Sequence, residues 1–325
     1  MQQPLVSIIV PNYNYARYLP ERMYSIINQT FQDYEIILLD DCSTDNSKEI
    51  IESYRNHPKV SHIIYNDTNS GSPFRQWKKG LSLAKGKYIW IAEADDSASP
   101  EILGKLVETI DTDSAITVAF CGSIAVEPDG THMARDFDLW HRWPSRLNGG
   151  YRIFDGTDYV IHSLYWCNYI YNASMTLFRK DAYSPELLDD SIAMRNSGDW
   201  LFWIKMAAKG KVAEIYEKLN YYRIHTDSAT SLGNRSGNRI VEDFKILKYI
   251  ESHFNVGRYR KTICHGIYIK EIKRATQYSS DEKARLYKIM HDVLGTTMLS
   301  YRLERINRAL IHIIPGLYSK NHDRL

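Results

Sequence analysis

Short apolar runs alternate with amphipathic segments along residues 5–110. The runs LVSIIV (5–10), YEIILLD (34–40), VSHIIYN (60–66) and KYIWIAE (87–93) are rich in β-branched and aromatic residues, which predicts four strands. Between these runs, apolar residues recur at intervals of three and four, which predicts helices. Strands that alternate with helices build a mostly parallel sheet through right-handed crossovers. The pattern therefore predicts an α/β fold.

Proline, glycine and serine mark the expected ends of these helices. Pro73 opens the helix after the third strand, and Gly86 suits a left-handed cap where that helix stops. Ser99 and Pro100 are placed to cap and start the helix after the fourth strand. With Ser99 as the cap, the acidic residues just before it are left for another role.

The second half of the chain is less regular until it becomes helical throughout. Strands are predicted at 115–127 and 173–179, and a helix with tryptophans at packing intervals at 198–210. Beyond Asn238, four consecutive segments have helical periodicity. We therefore expect a main α/β domain over residues 1–235 and a C-terminal helical region over residues 236–325.

Polar residues gather where the predicted strands end. Asp41 follows the second strand, and Glu93, Asp95 and Asp96 follow the fourth. Parallel sheets bind ligands at the carboxyl ends of their strands, and adjacent side chains there point to opposite sides. One carboxylate of such a group can hold a divalent cation while another binds a ribose hydroxyl. Each loop taken alone is also compatible with ordinary turn chemistry or capping.

Length and composition favour a globular protein kept in the cytoplasm. A chain of 325 residues that is 44% hydrophobic can bury a full core and exceeds the usual size of one domain. It has no apolar run of about eighteen residues, and its first residues lack the pattern of a signal peptide. The four cysteines have no metal-ligand spacing, so reduced thiols are expected.

Charge is distributed unevenly along the chain. Residues 255–325 contain fourteen Lys and Arg against six Asp and Glu, whereas the whole chain has a formal net charge of +2. Within that region, Arg302, Arg305 and Arg308 lie beside apolar positions at helical spacing. Such a helix is typical of contact with an anionic membrane surface, although packing against the rest of the chain or a homodimer contact would produce the same pattern.

Residues 5–228 resemble the family 2 glycosyltransferases, which bind nucleotide sugars and have the GT-A fold. The resemblance lies in six segments, which form a highly specific set in this order: VSIIVPNYN, SIINQTF, YEIILLDDCSTDNS, LSLAKGKYIWIAEADD, NSGDWLFW and NYYRIH. It implies an inverting, non-processive enzyme that uses Mg²⁺ or Mn²⁺. The implied donor is a nucleotide-diphosphate sugar, a UDP-sugar being favoured. The implied acceptor is a saccharide or a polyprenyl-linked saccharide at the inner membrane surface, in bacterial surface-polysaccharide synthesis.

The same resemblance implies roles for individual residues. Asp199 maps onto the catalytic base, Asp96 onto the metal ligand, and Asp95 onto the ribose side of the metal motif. The other expected substrate contacts are Pro11, Tyr13, Asp41, Arg75, Trp200, Arg223 and His225. Helix capping by Asp199, a structural role for His225 and a solvated position for Arg75 are the alternatives to these assignments.

The expected chemistry is a single displacement. The cation neutralises the charge of the departing diphosphate, and Asp199 takes the proton from an acceptor hydroxyl as its oxygen attacks the anomeric carbon. One displacement inverts the anomeric configuration and requires no enzyme nucleophile.

Three departures from the family pattern stand out. Cys42 replaces the usual glycine after the aspartate pair, so we expect that turn to avoid a conformation that only glycine tolerates. Gly198 replaces one of two acids before the base helix. The absence of a Gln-x-x-Arg-Trp segment and of membrane spans argues against a processive synthase.

Other classes of protein remain open at this stage. A sugar nucleotidyltransferase also needs carboxylates, but VPNYNYARYL lacks the glycine-rich phosphate loop of that class. A non-catalytic binding protein with this fold would not need both Asp96 and Asp199. Nucleic-acid binding through the basic region is weaker, because that region shows no base-stacking platform. Trp140, His141 and their neighbours are candidates to stack on an acceptor sugar.

Overall fold

One sheet organises the part of the chain that is described. The computed structural model describes residues 3–138, 150–225, 233 and 236–311. Within these ranges the chain forms nine strands of a single sheet. They are β1 (Val6–Asn12), β2 (Tyr34–Asp40), β3 (Val60–Tyr65), β4 (Tyr88–Ile91), β5 (Ser97–Ala98), β6 (Ile116–Val126), β7 (Tyr151–Asp155), β8 (Thr176–Arg179) and β9 (Lys211–Arg223).

The sheet has a parallel half and a mixed half. The strand order is β3-β2-β1-β4-β8-β6-β9-β5, and β7 pairs with β9 outside this path. Strands β1 to β4 pair in parallel, whereas β8 runs antiparallel to both β4 and β6. Strands β1, β2 and β4 are buried along their whole length, as expected for a sheet covered on both faces. The predicted α/β fold is confirmed.

Helices cover the sheet and then continue as a separate run. They are α1 (Leu19–Ile27), α2 (Ser47–Ser53), α3 (Pro73–Leu83), α4 (Ile102–Asp111), α5 (Gly156–Tyr159), α6 (Asp189–Ile192), α7 (Gly198–Ala207), α8 (Asn238–His253), α9 (Arg258–Arg274), α10 (Ser280–Leu294) and α11 (Met298–Ile311). The helical C-terminal region is as predicted, while the division at residue 235 remains a prediction. In the described ranges, no helix has the length and apolar character needed to cross a bilayer.

Helix α8 is tied to the segment that precedes α7. The carboxylate of Glu242 accepts hydrogen bonds from the backbone N–H groups of Arg195, Asn196 and Ser197, at 2.8–2.9 Å. The Ser197 hydroxyl donates to Asp243 at 2.8 Å. Bonds to a charged acceptor are among the stronger ones in proteins. The C-terminal helices therefore fix where α7 begins.

Two predicted helix ends are wrong, and both for tertiary reasons. Gly86 does not adopt a left-handed cap; α3 ends at Leu83, and a Cβ on Gly86 would lie 2.5 Å from the backbone nitrogen of Ser7. Ser99 does not cap α4, because the Leu103 N–H donates to the side-chain oxygen of Gln29 at 3.0 Å. Glycine is needed at residue 86 for close approach to β1, and α4 takes its cap from Gln29, which follows α1.

The close approach at Gly86 leads to a stability prediction. Gly86→Ala is expected to lower the free energy of unfolding by about 1–3 kcal/mol, because the added methyl group meets backbone that cannot move aside. Gly104→Ala is the matched control: it lies within α4, where the nearest side-chain atom to a new Cβ is 3.7 Å away. The control is expected to raise stability by up to about 1 kcal/mol, from helix propensity. Urea unfolding followed by circular dichroism measures both, and equal effects would contradict the assignment.

Candidate active site

A cavity lies at the carboxyl ends of β1, β2 and β4. Its volume is about 570 Å³, which is in the usual range for small-molecule sites. Six of the residues singled out from the sequence line it: Pro11, Tyr13, Asp41, Asp95, Arg223 and His225. The prediction that polar strand ends gather at one edge of the sheet holds for these residues.

Asp41 forms one end of the cavity, and its carboxylate is held by four donors. Oδ1 accepts from Asn66 Nδ2 at 2.6 Å, Gln76 Nε2 at 2.7 Å and the Ser70 N–H at 2.9 Å. Oδ2 accepts from the Ser70 hydroxyl at 2.7 Å. A carboxylate offers about four acceptor sites, so Oδ2 retains capacity for a further donor. The group is fixed in place while one oxygen stays able to accept a bond from a ligand N–H.

The residue after Asp41 overturns one expectation. Cys42 has a φ of +63°, in the left-handed region that glycine favours, instead of avoiding it. A non-glycine residue there costs about 1–2 kcal/mol and persists where the surroundings fix the turn. The surroundings here are Asp40, which accepts from the Ser43 N–H at 2.9 Å, and the Asp41 N–H, which donates to Asn12 O at 2.9 Å. The turn keeps its shape without the family's glycine.

Glu93, Asp95 and His225 form the other end of the cavity. Glu93 accepts from the indole N–H of Trp77 at 2.9 Å. His225 Nε2 lies 3.1 Å from Asp95 Oδ2, and its ring stacks on Tyr15 at a centroid distance of 5.8 Å. Burial, followed by the charge of Asp95, raises the pKa of Glu93 to about 8. A cation or a hydroxyl-rich ligand at this end would relieve the repulsion between the two carboxylates.

Asp96 lies beneath the cavity and does not line it. Its side chain is 1% exposed, and its carboxylate accepts from Ser174 Oγ at 2.7 Å, Asn172 Nδ2 at 2.8 Å and the Arg223 N–H at 3.0 Å. Burial, followed by the charge of Asp95, raises the pKa of Asp96 to about 6. This arrangement does not suit the metal-ligand role expected from the sequence, because the carboxylate is enclosed by protein donors. Asp95 instead reaches the cavity.

Arg22 is a buried cation below the acidic residues, and sequence reasoning missed it. It is 0% exposed, and its guanidinium lies 5.1 Å from the ring of Trp90. Among the described residues, none hydrogen-bonds to its guanidinium nitrogens. Burial lowers the pKa of Arg22 to about 10, while Asp96, Asp95 and Glu93 act in the opposite direction. Arg22 therefore stays charged at neutral pH and partly offsets the negative charge of the acidic residues near it.

For three of the expected substrate contacts, the side chain is buried, lies outside the cavity or bonds to other parts of the protein. The Trp200 side chain is 3% exposed, and its indole donates to Leu164 O at 2.9 Å, so it belongs to the core. Arg75 is exposed on α3 and lines two shallower depressions outside the main cavity. The Arg223 guanidinium donates to Glu21 at 2.6 Å and to the Asp95 carbonyl at 2.7 Å, which makes it a brace between α1 and the acidic turn.

Asp199 lies in the first turn of α7. Asn168 Nδ2 donates to Asp199 Oδ2 at 3.0 Å. Burial raises the pKa of Asp199 to about 7. Burial, and then the charges of Asp96, Asp95 and Asp199, raise the pKa of Tyr222, which lines the cavity. The carboxylates thus act on one shared side chain, although Asp199 itself does not line the cavity.

Two arginines of the cavity were not anticipated. Arg135 and Arg195 both line it and are exposed. Arg135 lies in the stretch THMARDFDLWHRW, and the basic and aromatic composition of that stretch was the available signal. Trp140 and its neighbours lie outside the described residues. Guanidinium groups at the rim suit a diphosphate, which they can bind through two parallel bonds.

The residues that line the cavity fit a divalent cation whose remaining ligands are phosphate oxygens of a bound substrate and water. In the described part of the chain, no three His, Cys, Asp or Glu side chains form a complete metal site. Asp95 and His225 nevertheless present two adjacent ligand atoms to the cavity. Mg²⁺ and Mn²⁺ are commonly held by one or two protein ligands together with substrate phosphates and water.

The sequence comparisons agree with this geometry. Residues 7–184, more than half of the chain, match the model for glycosyl transferase family 2. The chain belongs to this family. It is 28% identical to an uncharacterized glycosyltransferase of Haemophilus influenzae over 314 residues. The match covers 96% of this chain and 90% of that relative. It is also 32% identical over 129 residues to the putative teichuronic acid biosynthesis glycosyltransferase TuaG of Bacillus subtilis, covering 40% of this chain and 50% of TuaG.

Solved structures confirm the GT-A fold of this family 2 glycosyltransferase. TarS 1–349 of S. aureus, in complex with UDP-GlcNAc, has a TM-score of 0.68 at 19% identity over 98% of this chain and 88% of TarS. The mannosyltransferase PcManGT of Pyrobaculum calidifontis, in complex with GDP-Man and Mn²⁺, has a TM-score of 0.52 at 15% identity over 99% of this chain and 84% of that one.

The environment of Asp199 predicts a pH-dependent stability difference. Its pKa rises from 3.8 to about 7 in the folded protein, so the native state holds a proton that the unfolded chain releases. Stability therefore falls as pH rises from about 4 to about 7, and the loss is complete above that range. Asp199→Asn lacks this loss. The melting temperature of Asp199→Asn minus that of the parent protein is expected to be larger at pH 8 than at pH 5. Both are measured with a chelator present to remove metal.

Glu108→Gln is the matched control for this measurement, because Glu108 is exposed on α4. For Glu108→Gln, the melting temperature minus that of the parent protein is expected to be the same at pH 5 and pH 8. A difference that shrinks toward pH 8 in Asp199→Asn would mean that the carboxylate is stabilised as the anion.

Proposed function

We propose that this family 2 glycosyltransferase moves one sugar from a UDP-sugar to a saccharide or polyprenyl-linked acceptor, with inversion and without processivity. The observation that carries the proposal is the single cavity that joins Asp41 at the end of β2 to Asp95 and His225. A nucleotide sugar has an N–H-bearing base, a ribose and a diphosphate in sequence, and the cavity offers an acceptor at one end and metal-ligand atoms at the other.

The nucleoside belongs at the Asp41 end. Pro11 and Tyr13 line the cavity beside Asp41, and the Tyr13 side chain is 46% exposed. An exposed aromatic ring offers a stacking face to a base, and Asp41 Oδ2 can accept from a base N–H. Uracil, which carries one ring N–H between two carbonyls, suits this single remaining acceptor position.

The diphosphate belongs at the Asp95 end. We place the metal contact on Asp95, with His225 beside it, because Asp96 is enclosed by Asn172, Ser174 and Arg223. Bound Mg²⁺ or Mn²⁺ would supply neutralisation of the diphosphate charge at this point. Asp96 then acts through position, by holding the turn that presents Asp95. PcManGT is a fold neighbour that was solved with Mn²⁺.

Asp199 serves as the base in this proposal. Its pKa of about 7 lets it exist as the anion at neutral pH and accept a proton efficiently from a hydroxyl. Asn168 Nδ2 donates to one carboxylate oxygen, and the backbone N–H groups of Asp199 and Trp200 also stabilise the anion. The proton moves from the acceptor hydroxyl to Asp199 while the acceptor oxygen forms its bond to the anomeric carbon and the bond to the diphosphate breaks. One such displacement inverts the anomeric centre.

The relatives suggest the biological setting. TuaG is described as a teichuronic acid biosynthesis enzyme, and TarS as a poly(ribitol-phosphate) β-N-acetylglucosaminyltransferase. We propose a role in bacterial surface-polymer synthesis in the cytoplasm, with residues 1–235 as the catalytic domain and residues 236–325 as a helical region that supports it. A non-catalytic protein with this fold is the remaining alternative, and a panel of UDP-, GDP- and dTDP-sugars with Mn²⁺, followed by thermal shift and donor hydrolysis, decides between the two.

The metal assignment predicts different behaviour for the two neighbouring aspartates. Asp95→Ala is expected to weaken Mn²⁺-dependent UDP binding by at least about tenfold, with a melting temperature close to that of the parent protein. Asp96→Ala is expected to lower the free energy of unfolding by roughly 2–4 kcal/mol, because buried donors are left without an acceptor, and to lose activity for that reason. Calorimetric titration and urea unfolding measure these effects. Normal stability with lost metal binding in Asp96→Ala would return the ligand role to Asp96.

The base assignment predicts a split between binding and turnover. Asp199→Asn is expected to bind UDP and Mn²⁺ as the parent does, while kcat falls by roughly 10²–10⁴-fold. In the parent enzyme, kcat/KM is expected to rise with pH to a plateau above about 7, as Asp199 ionises. Glu108→Gln provides the active control. Unchanged kcat in Asp199→Asn would overturn the base role without affecting the donor-site proposal.

A further inference from the structure

Helix α11 turns its polar side toward the protein and its apolar side toward solvent. Glu304 and Asn307 are 3% and 6% exposed, whereas Leu299 and Ile306 are 59% and 55% exposed. Amphipathic helices of globular proteins normally bury the apolar face. The reversed orientation requires a cause within the fold and a reason for the exposed face.

Contacts with α9 fix this orientation. A Cβ on Gly266 of α9 would lie 2.4 Å from Glu304 Cβ, so the two helices approach closely there. Lys270 lies 3.6 Å from the Glu304 carboxylate, and the Tyr259 hydroxyl donates to Asn307. The polar side of α11 is therefore its packing side, and ordinary packing of α11 does not account for its apolar residues.

The exposed apolar residues form one continuous stripe. Leu299, Leu303, Ile306 and Leu310 are spaced by four, three and four residues, which places them on one helical face. Between this stripe and the start of α9 lies an apolar groove of about 560 Å³. We call the four residues and this groove the α11 surface. Contiguous apolar exposure of this kind marks an interaction site.

The charges around the α11 surface are positive. Arg302 and Arg305 are exposed on α11, and Arg258 is exposed on α9 and lines the groove. Among the described residues that line the groove there is no carboxylate. Glu304, the one acid in α11, points inward and lies 3.4 Å from Arg308. An apolar stripe bordered by arginines complements a surface that is apolar inside and anionic outside.

We propose that the α11 surface docks on an anionic lipid bilayer, with α11 lying along the interface. Helices of this type bury their apolar face near the acyl boundary while their Arg side chains contact acidic headgroups. Docking of a second copy of the chain on the same face is less suited to these charges, because a symmetric contact would bring the rows of Arg258, Arg302 and Arg305 against each other. The inference goes beyond the proposed function and does not depend on it.

Vesicle co-sedimentation of the full chain tests the docking surface. The parent protein is expected to sediment with vesicles of phosphatidylglycerol and phosphatidylcholine, to remain in solution with phosphatidylcholine alone, and to be released by high salt. Arg302→Gln with Arg305→Gln is expected to weaken partitioning on the order of 30-fold. Leu303→Ser with Ile306→Ser is expected to weaken it by a similar amount or more, because both side chains are solvent-exposed and their loss leaves the core intact.

Matched controls separate the surface from general effects of charge and exposure. Arg152→Gln with Lys209→Gln removes the same net charge from exposed positions of the sheet domain. Tyr24→Ser removes the side chain of a residue on α1 that is 71% exposed. Both controls are expected to partition like the parent protein. UDP-induced thermal stabilisation in all variants reports on the donor site, so failure of the docking proposal and failure of the proposed function remain distinguishable.

Several results would overturn the proposal. The parent protein could fail to sediment with anionic vesicles, or the charge control could weaken partitioning as much as Arg302→Gln with Arg305→Gln. Analytical ultracentrifugation could instead show a dimer that Leu303→Ser with Ile306→Ser converts to a monomer, together with no vesicle binding. That last outcome would assign the α11 surface to a second copy of the chain.

Discussion

The arrangement of this site depends on one electrostatic constraint. Several acidic side chains lie close together at the end of β4, so the repulsion between them must be limited. Arg22 meets this constraint from below, fully buried against Trp90 and in range of Glu93, Asp95 and Asp96. A buried guanidinium is costly in itself, and the surrounding negative charge offsets that cost. Burial is the main cause of the raised pKa values of Glu93 and Asp96, and the charge of Asp95 adds to it. A cation bound in the cavity would add positive charge beside these acidic side chains and so favour their ionised forms.

Helix α3 links the two ends of the cavity. Gln76 donates to Asp41 and the next residue, Trp77, donates to Glu93, at 2.7 and 2.9 Å. One turn of one helix therefore sets the position of an acidic side chain from each of two strands. At the opposite side, β9 delivers Arg223, whose backbone binds Asp96. The Asp41 end and the Asp95 end of the cavity are thus fixed relative to each other by rigid elements and not by loops alone.

Local pattern predicted the fold well because the buried strands are continuous apolar runs; Tyr34–Asp40 begins and ends where the sequence indicates. The strand-end position of Asp41 followed from the same reasoning. The predictions that were wrong concern residues whose roles depend on contacts with distant parts of the chain. Gly86 is set by the backbone of β1, and the cap of α4 comes from Gln29, far away along the chain. Arg22 lies three residues after Leu19 and four before Ile26, so helical spacing places it on the buried face of α1, and only its charge argues for exposure. The adjacent Asp95 and Asp96 cannot be told apart until the donors around each are known.

The bonds from Glu242 to the segment before α7 have a consequence for engineering this enzyme. These charged hydrogen bonds cross the predicted boundary between the sheet and the C-terminal helices, and they hold the segment that leads into the first turn of α7, where Asp199 lies. A chimera that exchanges the segment containing α7 would have to carry α8 with it to keep these bonds. Conversely, a sequence change confined to α8 can shift the first turn of α7 without altering any residue that lines the cavity.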